Sequence, residues 1–149
     1  MLKIRVTKLF TFEMAHALWN YDGACRNIHG HSYKLYITII GEPCTDTSNP
    51  KLGMVMDFGD LKRIVHEEIV SKFDHSVVIG MQSHHKFLEN VEQMFDKYYV
   101  LDYQPTCENL VSDIAKRIQK RLPEKVSLFS VKLAETATSY AEWFASDNQ

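Results

Sequence analysis

The chain has 149 residues, 45% of them hydrophobic and 24% charged, enough apolar material for one soluble globular domain over residues 1–149 without disulfides. Its 17 basic and 19 acidic residues leave a net charge of −2, which excludes the global basic field of a nucleic-acid-binding protein. No apolar run nears the roughly 20 residues of a membrane span, and Met-Leu-Lys-Ile-Arg-Val alternates as a strand does and a signal peptide does not, so the expected compartment is the cytoplasm, with no membrane partner.

Ile4, Val6, Phe10 and Phe12 share one parity, which predicts a first half-buried strand, and His16 continues it. Residues 20–28 read as a loop with the turn signal Asp22-Gly23. His31, Tyr33, Leu35, Ile37 and Ile39 predict a second strand, and Gly53-Met54-Val55-Met56 a short third one. From Asp57 to Phe73, the stripe Leu61, Ile64, Val65, Ile69 and Phe73 predicts a helix. A second helix is expected within 83–97, followed by a short strand over 98–101. Thr106 is the expected N-cap of a third helix with the stripe Leu110, Ile114, Ile118 and Leu122. Phe129, Val131 and Leu133 predict a strand whose inward parity includes Glu135, and Tyr140, Glu142 and Phe144 a final hairpin strand. Strands and helices do not alternate regularly, which indicates an α+β fold.

Cys25, Cys44 and Cys107 make an odd count, which argues for reduced thiols. The strongest chemical signal is Cys25-Arg26-Asn27-Ile28-His29-Gly30-His31. On a strand His29 and His31 point to the same face, and two converging imidazoles suit a divalent metal, zinc being the usual one. His16 can supply a third nitrogen, leaving a fourth position open as in catalytic sites. The bland alternative is three buried, hydrogen-bonded histidines. Cys25 can be a fourth ligand, or a thiolate acting as base or nucleophile beside an open metal. Asp74-His75 is either a proton-transfer pair or a polar surface loop. Glu135, on an apolar parity, needs a partner. For Thr106 and Glu108, helix capping and dipole complementarity suffice. His66, His84 and His85 read as solvated, and Cys44 and Cys107 as structural.

Phe12-Glu13-Met14-Ala15-His16, Cys25-x-x-x-His29-Gly30-His31, Met54-Val55-Met56-Asp57-Phe58, Phe73-Asp74-His75, Pro105-Thr106-Cys107-Glu108-Asn109 and Glu135-Thr136, in this order, resemble the 6-pyruvoyl-tetrahydropterin synthase family. The three-residue gap between Cys25 and His29 is similar to its bacterial, carboxy-forming branch in queuosine biosynthesis. The resemblance implies the tunnelling fold (T-fold): an antiparallel sheet with helices on one face, assembled into an oligomeric barrel, commonly a homohexamer of two trimers. It implies that His16, His29 and His31 hold Zn2+, that Cys25 abstracts a proton, and that Asp74 and His75 form a second proton-transfer pair reaching the site from a neighbouring subunit. Glu135 would anchor the pterin, with Thr106 and Glu108 helping at the pocket. The implied substrate is 7,8-dihydroneopterin triphosphate, and the products are 6-carboxy-5,6,7,8-tetrahydropterin, acetaldehyde and triphosphate. The alternatives are the pyruvoyl-forming synthase and, from another class, a non-catalytic zinc-binding oligomer. Residues 82–97 read as a longer connection than many members have.

Overall fold

The computed structural model describes residues 1–149. In chain order the elements are β1 (Ile4–His16), β2 (His29–Gly41), α1 (Phe58–Val65), α2 (Ser71–Phe73), β3 (Ser76–Gly80), α3 (His85–Met94), β4 (Tyr98–Leu101), α4 (Cys107–Gln119), β5 (Val126–Thr136) and β6 (Ser139–Phe144). One six-stranded sheet runs in the order β4-β3-β1-β2-β5-β6. Its long strands β1, β2 and β5, with β6 at one edge, pair antiparallel as the family resemblance implies. At the other edge β3 and β4 run parallel to β1, so the sheet is mixed.

Alternation decides which face is covered. Phe10, Phe12 and Met14 of β1 and Tyr33, Leu35, Ile37 and Ile39 of β2 are all buried on one side. Against that side pack α1 and α4, the latter through Leu110, Val111, Ile114, Ala115 and Ile118. The helix expected over 57–73 is interrupted by a π-helical stretch, His66–Val70. The expected stripe nevertheless holds across this wider turn, with Leu61, Ile64, Val65, Ile69 and Phe73 all buried.

Three expectations are corrected. The segment 53–56 is not a strand; Cys44 donates its N–H to Met54 O and accepts from Gly53 N, closing the 44–54 loop on itself. Phe129 does not share the inward face of Val131, because the β2–β5 register shifts between Thr38 and Ile39. Leu128 and Val126 fill the core instead, and Phe129 turns outward beneath the Arg5 guanidinium, 3.7 Å from its ring centre. β6 is present as the expected final hairpin strand, with Ala141 and Trp143 packed against the core and Tyr140 on the outer side. The helices are not all on one face. Every residue of β3 is buried, because Val78 joins the main core while Val77 and Ile79 pack against Val91, Phe87 and Leu88 of α3 on the opposite side. The long connection over 82–97 thus supplies the cover for β3's second face. No helix is long and apolar enough to cross a membrane.

Ile37 is fully buried at the centre of the sheet, whereas Leu52 is 49% exposed. Urea denaturation of Ile37→Ala is expected to show a loss of about 2–5 kcal/mol, against less than about 0.5 kcal/mol for Leu52→Ala.

Candidate active site

The β1–β2 register places His16 opposite His29 and Met14 opposite His31, all with side chains on the covered face. The apolar stripe of both strands therefore ends in three imidazoles. Their rings are close: centroids lie 4.6 Å apart for His16 and His29, 5.2 Å for His16 and His31, and 5.0 Å for His29 and His31. The Nδ1 of His16 donates to Pro105 O and that of His29 to Asn27 O, both at 2.7 Å. A carbonyl only accepts, so these bonds fix the Nδ1–H tautomer and leave each Nε2 as a bare lone pair.

The Nε2 atoms of His16, His29 and His31 are buried and have no hydrogen-bond partner in the protein. Three ligand atoms within 4.8 Å of one another fit one divalent cation, and the backbone carbonyls behind two of the rings are the usual outer support of such a site. His16 is 2% exposed, and burial first, then its two histidine neighbours, hold its pKa down at about 4 despite the bond to Pro105 O. A neutral imidazole is the form a metal requires.

A cavity of about 370 Å³ opens beside the triad and is lined by His16, Cys25, Thr106, Cys107, Glu108 and Glu135, among others. Five of the nine residues anticipated from the sequence thus meet in one place. A Glu135 carboxylate oxygen lies 3.7 Å from His31 Nε2, and the other 4.0 Å from His16 Nε2. Thr106 also does what its bland reading required, since its hydroxyl accepts from Asn109 N and caps α4. Cys107, read as structural, lines the cavity too. It donates to Leu133 O at 3.2 Å, and burial and the nearby Glu135 push its thiol up to about 12. Its place as the first residue of a helix opening beside the triad was the available signal.

Asp74 and His75 do not join this cavity within one chain. His75 Nδ1 lies 3.1 Å from Asp74 Oδ2, and the imidazole is 77% exposed beside a second depression with Glu13, His31 and Ser32. The Glu13 amide donates to Asp74 Oδ1, and that bond first, with His75, holds the Asp74 carboxyl below its usual range. His84 caps α3 by accepting from Lys86 N, and His66 lies on the exposed side of its helix, so neither is a ligand. Cys44 lines a larger cavity of about 950 Å³ at the far end of β2, away from these groups.

The family model of 6-pyruvoyl tetrahydropterin synthase matches residues 5–146. The chain is 33% identical over 141 residues to a 6-carboxy-5,6,7,8-tetrahydropterin synthase of Haemophilus influenzae, covering 93% of this chain and 97% of that protein. It is 32% identical over 144 residues to a 6-pyruvoyl tetrahydrobiopterin synthase of Pongo abelii, covering 89% and 85%. The structure of Caenorhabditis elegans 6-pyruvoyl tetrahydropterin synthase superimposes with a TM-score of 0.70 at 20% identity, covering 97% of both chains, and shares the fold.

His16 gives the metal-free protein a pH dependence. Above about pH 6.5 neither state protonates it; between about 6.5 and 4 the unfolded chain does and the folded chain does not. Stability contributed by the neutral ring is therefore lost as pH falls through that window, by a total on the order of 3 kcal/mol. Denaturant titrations of chelator-treated protein at pH 7 and pH 4 should show this loss, and His16→Gln should diminish it.

Proposed function

Because the chain belongs to the 6-pyruvoyl tetrahydropterin synthase family, we propose that it is a zinc-dependent lyase. It converts 7,8-dihydroneopterin triphosphate and water to 6-carboxy-5,6,7,8-tetrahydropterin, acetaldehyde and triphosphate, in the precursor pathway of queuosine. The observation that carries the reading is that three imidazole nitrogens without a hydrogen-bond partner converge beside a cavity lined by the free thiol of Cys25 and by the Glu135 carboxylate, which has no Lys or Arg partner. The identity to the Haemophilus influenzae protein and the short Cys25–His29 spacing support the carboxy-forming outcome.

His16, His29 and His31 would hold the ion. Bound zinc supplies Lewis-acid polarisation of oxygens on the substrate side chain. Cys25, on the wall of the same cavity, takes a proton from a side-chain carbon. Glu135 accepts hydrogen bonds from the pterin amino group and ring N–H, and Thr106 and Glu108 shape the wall beside it. Asp74 fixes the orientation of His75 through Nδ1, leaving Nε2 to move a proton at the cavity of an adjoining subunit in a homohexamer of two trimers. Loss of triphosphate and internal redox rearrangement need no nicotinamide or flavin. A pyruvoyl side chain holds two adjacent carbonyls, and adding water across the bond between ring-bound carbonyl and acetyl group gives a carboxylate and acetaldehyde. The carboxy product therefore differs from the pyruvoyl product by one hydrolytic cleavage.

Incubation with zinc and 7,8-dihydroneopterin triphosphate, followed by mass analysis, tests the reading. A carboxypterin with acetaldehyde is the expected result. A pyruvoyl product would give the chain the activity named for the Pongo abelii relative, and unchanged substrate would leave a zinc-binding oligomer without turnover. Cys25→Ala is expected to retain zinc one-to-one and lose at least about 100-fold in kcat. A fall in zinc content alongside activity would make Cys25 a ligand.

A further inference from the structure

We propose that Glu135 has two stations: without substrate its carboxylate is the fourth ligand of the cation held by His16, His29 and His31, and it leaves that position to grip the pterin's N–H groups. The inference rests on the reading of Glu135 as pterin anchor given under Proposed function, and adds the role it plays before the pterin arrives.

The geometry around Glu135 demands a cation. Its two oxygens sit 3.7 Å from His31 Nε2 and 4.0 Å from His16 Nε2, with no Lys or Arg paired to it and no hydrogen bond to its side chain. Those distances are too long for hydrogen bonds. The bond from His16 Nδ1 to Pro105 O makes the facing Nε2 an acceptor. A carboxylate oxygen aimed at a buried lone pair is repelled unless positive charge lies between them. Ligands about 2.0–2.1 Å from a tetrahedral zinc stand about 3.3 Å apart. The carboxylate oxygens at 3.7 and 4.0 Å stand about 0.4 and 0.7 Å beyond that spacing from two of the three imidazoles, whose own nitrogens lie within 4.8 Å of one another and close in with them around an ion.

The backbone is built to aim this side chain and to let it move. Ala134 pairs with Tyr140 and Thr136 with Ser139, so Glu135 is an extra residue with no cross-strand partner, a bulge beside the hairpin tip. Bulges re-aim side chains, and a residue outside the ladder swings without breaking strand pairing. Its side chain remains 21% exposed, on the wall of the cavity that would receive the pterin. The exchange couples recognition to activation. The coordination position becomes free only when pterin N–H groups draw the carboxylate away, so that the substrate's own side chain takes the vacancy.

The test reads the metal directly, on the full chain. Zinc K-edge absorption of the wild type without pterin should fit three nitrogens and one oxygen with a carboxylate carbon behind it. The Co2+-substituted protein should show a four-coordinate visible spectrum. Saturation with 7,8-dihydropterin, which has the ring but no side chain, should shift that spectrum toward the one given by Glu135→Gln alone. Glu135→Gln should also weaken zinc about tenfold or more in competition with a chelator. A sulfur in the zinc shell, or a cobalt spectrum that dihydropterin leaves unchanged at proven saturation, overturns the proposal without any variant. Identical zinc affinity and cobalt spectrum in wild type and Glu135→Gln overturns it as well. If the spectra behave as expected but 7,8-dihydroneopterin triphosphate is not consumed, Glu135 is still a ligand and the lyase reading falls. Turnover with unresponsive spectra does the opposite: the lyase reading stands and Glu135 is not a ligand that moves.

Discussion

The antiparallel register of β1 on β2 is the constraint from which the site follows. Because His16 stands opposite His29, and Met14 opposite His31, three imidazoles end the same face that buries Phe12, Tyr33 and Leu35. A slip of one residue would send all of one strand's imidazoles to the far face and expose its apolar stripe with them. The core and the site are therefore specified by one alignment, and the hydrophobic energy that fixes the first positions the second. Sequestering three imidazole nitrogens from water is unfavourable on its own. It is tolerable at the end of a strand pair whose other residues bury so much apolar surface.

The loop entering α4 completes what the register begins. Pro105 supplies the carbonyl that sets the His16 tautomer, Thr106 caps the helix, and the Cys107 thiol bonds Leu133 O two residues before Glu135. Three consecutive residues thus tie the helix start to β1 on one side and β5 on the other. The apolar stripe of α4 clamps that start against the sheet through Leu110 and Ile114. A helix whose packing is dictated by its own periodicity thereby delivers backbone and side-chain groups to the cavity at a fixed distance from the triad.

Much of this was legible in the residues alone because it follows from period and parity. The two long strands, the inward histidines, the Thr106 cap and the last hairpin all appear as simple repeats in the sequence. What escaped were departures from repeat. The all-apolar Val77-Val78-Ile79 has no alternation, since both of its faces are covered, and so gave no strand signal. The bulge that turns Phe129 outward, the π-helical stretch His66–Val70 and the unpaired Glu135 each interrupt a regular element that the period alone would carry on. Glu135 was legible as a buried carboxylate in need of a partner. That its neighbours are two imidazole nitrogens depends on the β5 and β6 pairing, which only the folded chain shows.

Asp74 and His75 show how local strain bears on the role proposed for them outside the chain's own cavity. His75 sits at φ 58°, a left-handed backbone conformation that non-glycine residues adopt at a cost of order 1 kcal/mol or more. Two backbone bonds to Glu13 hold it there: His75 N donates to Glu13 O at 2.6 Å, and Glu13 N donates to Asp74 Oδ1 at 2.9 Å. Lys97 adds a third tie by donating to the Asp74 carbonyl. The backbone is thus tied at three points while the imidazole it carries stays 77% exposed. It holds the ring in fixed register with β1, the strand that carries His16. The proposed contribution of His75 across a subunit boundary requires that rigidity. A proton-transfer group borrowed by a neighbour must be positioned by its own chain before the surfaces meet, since the receiving cavity cannot fold around it.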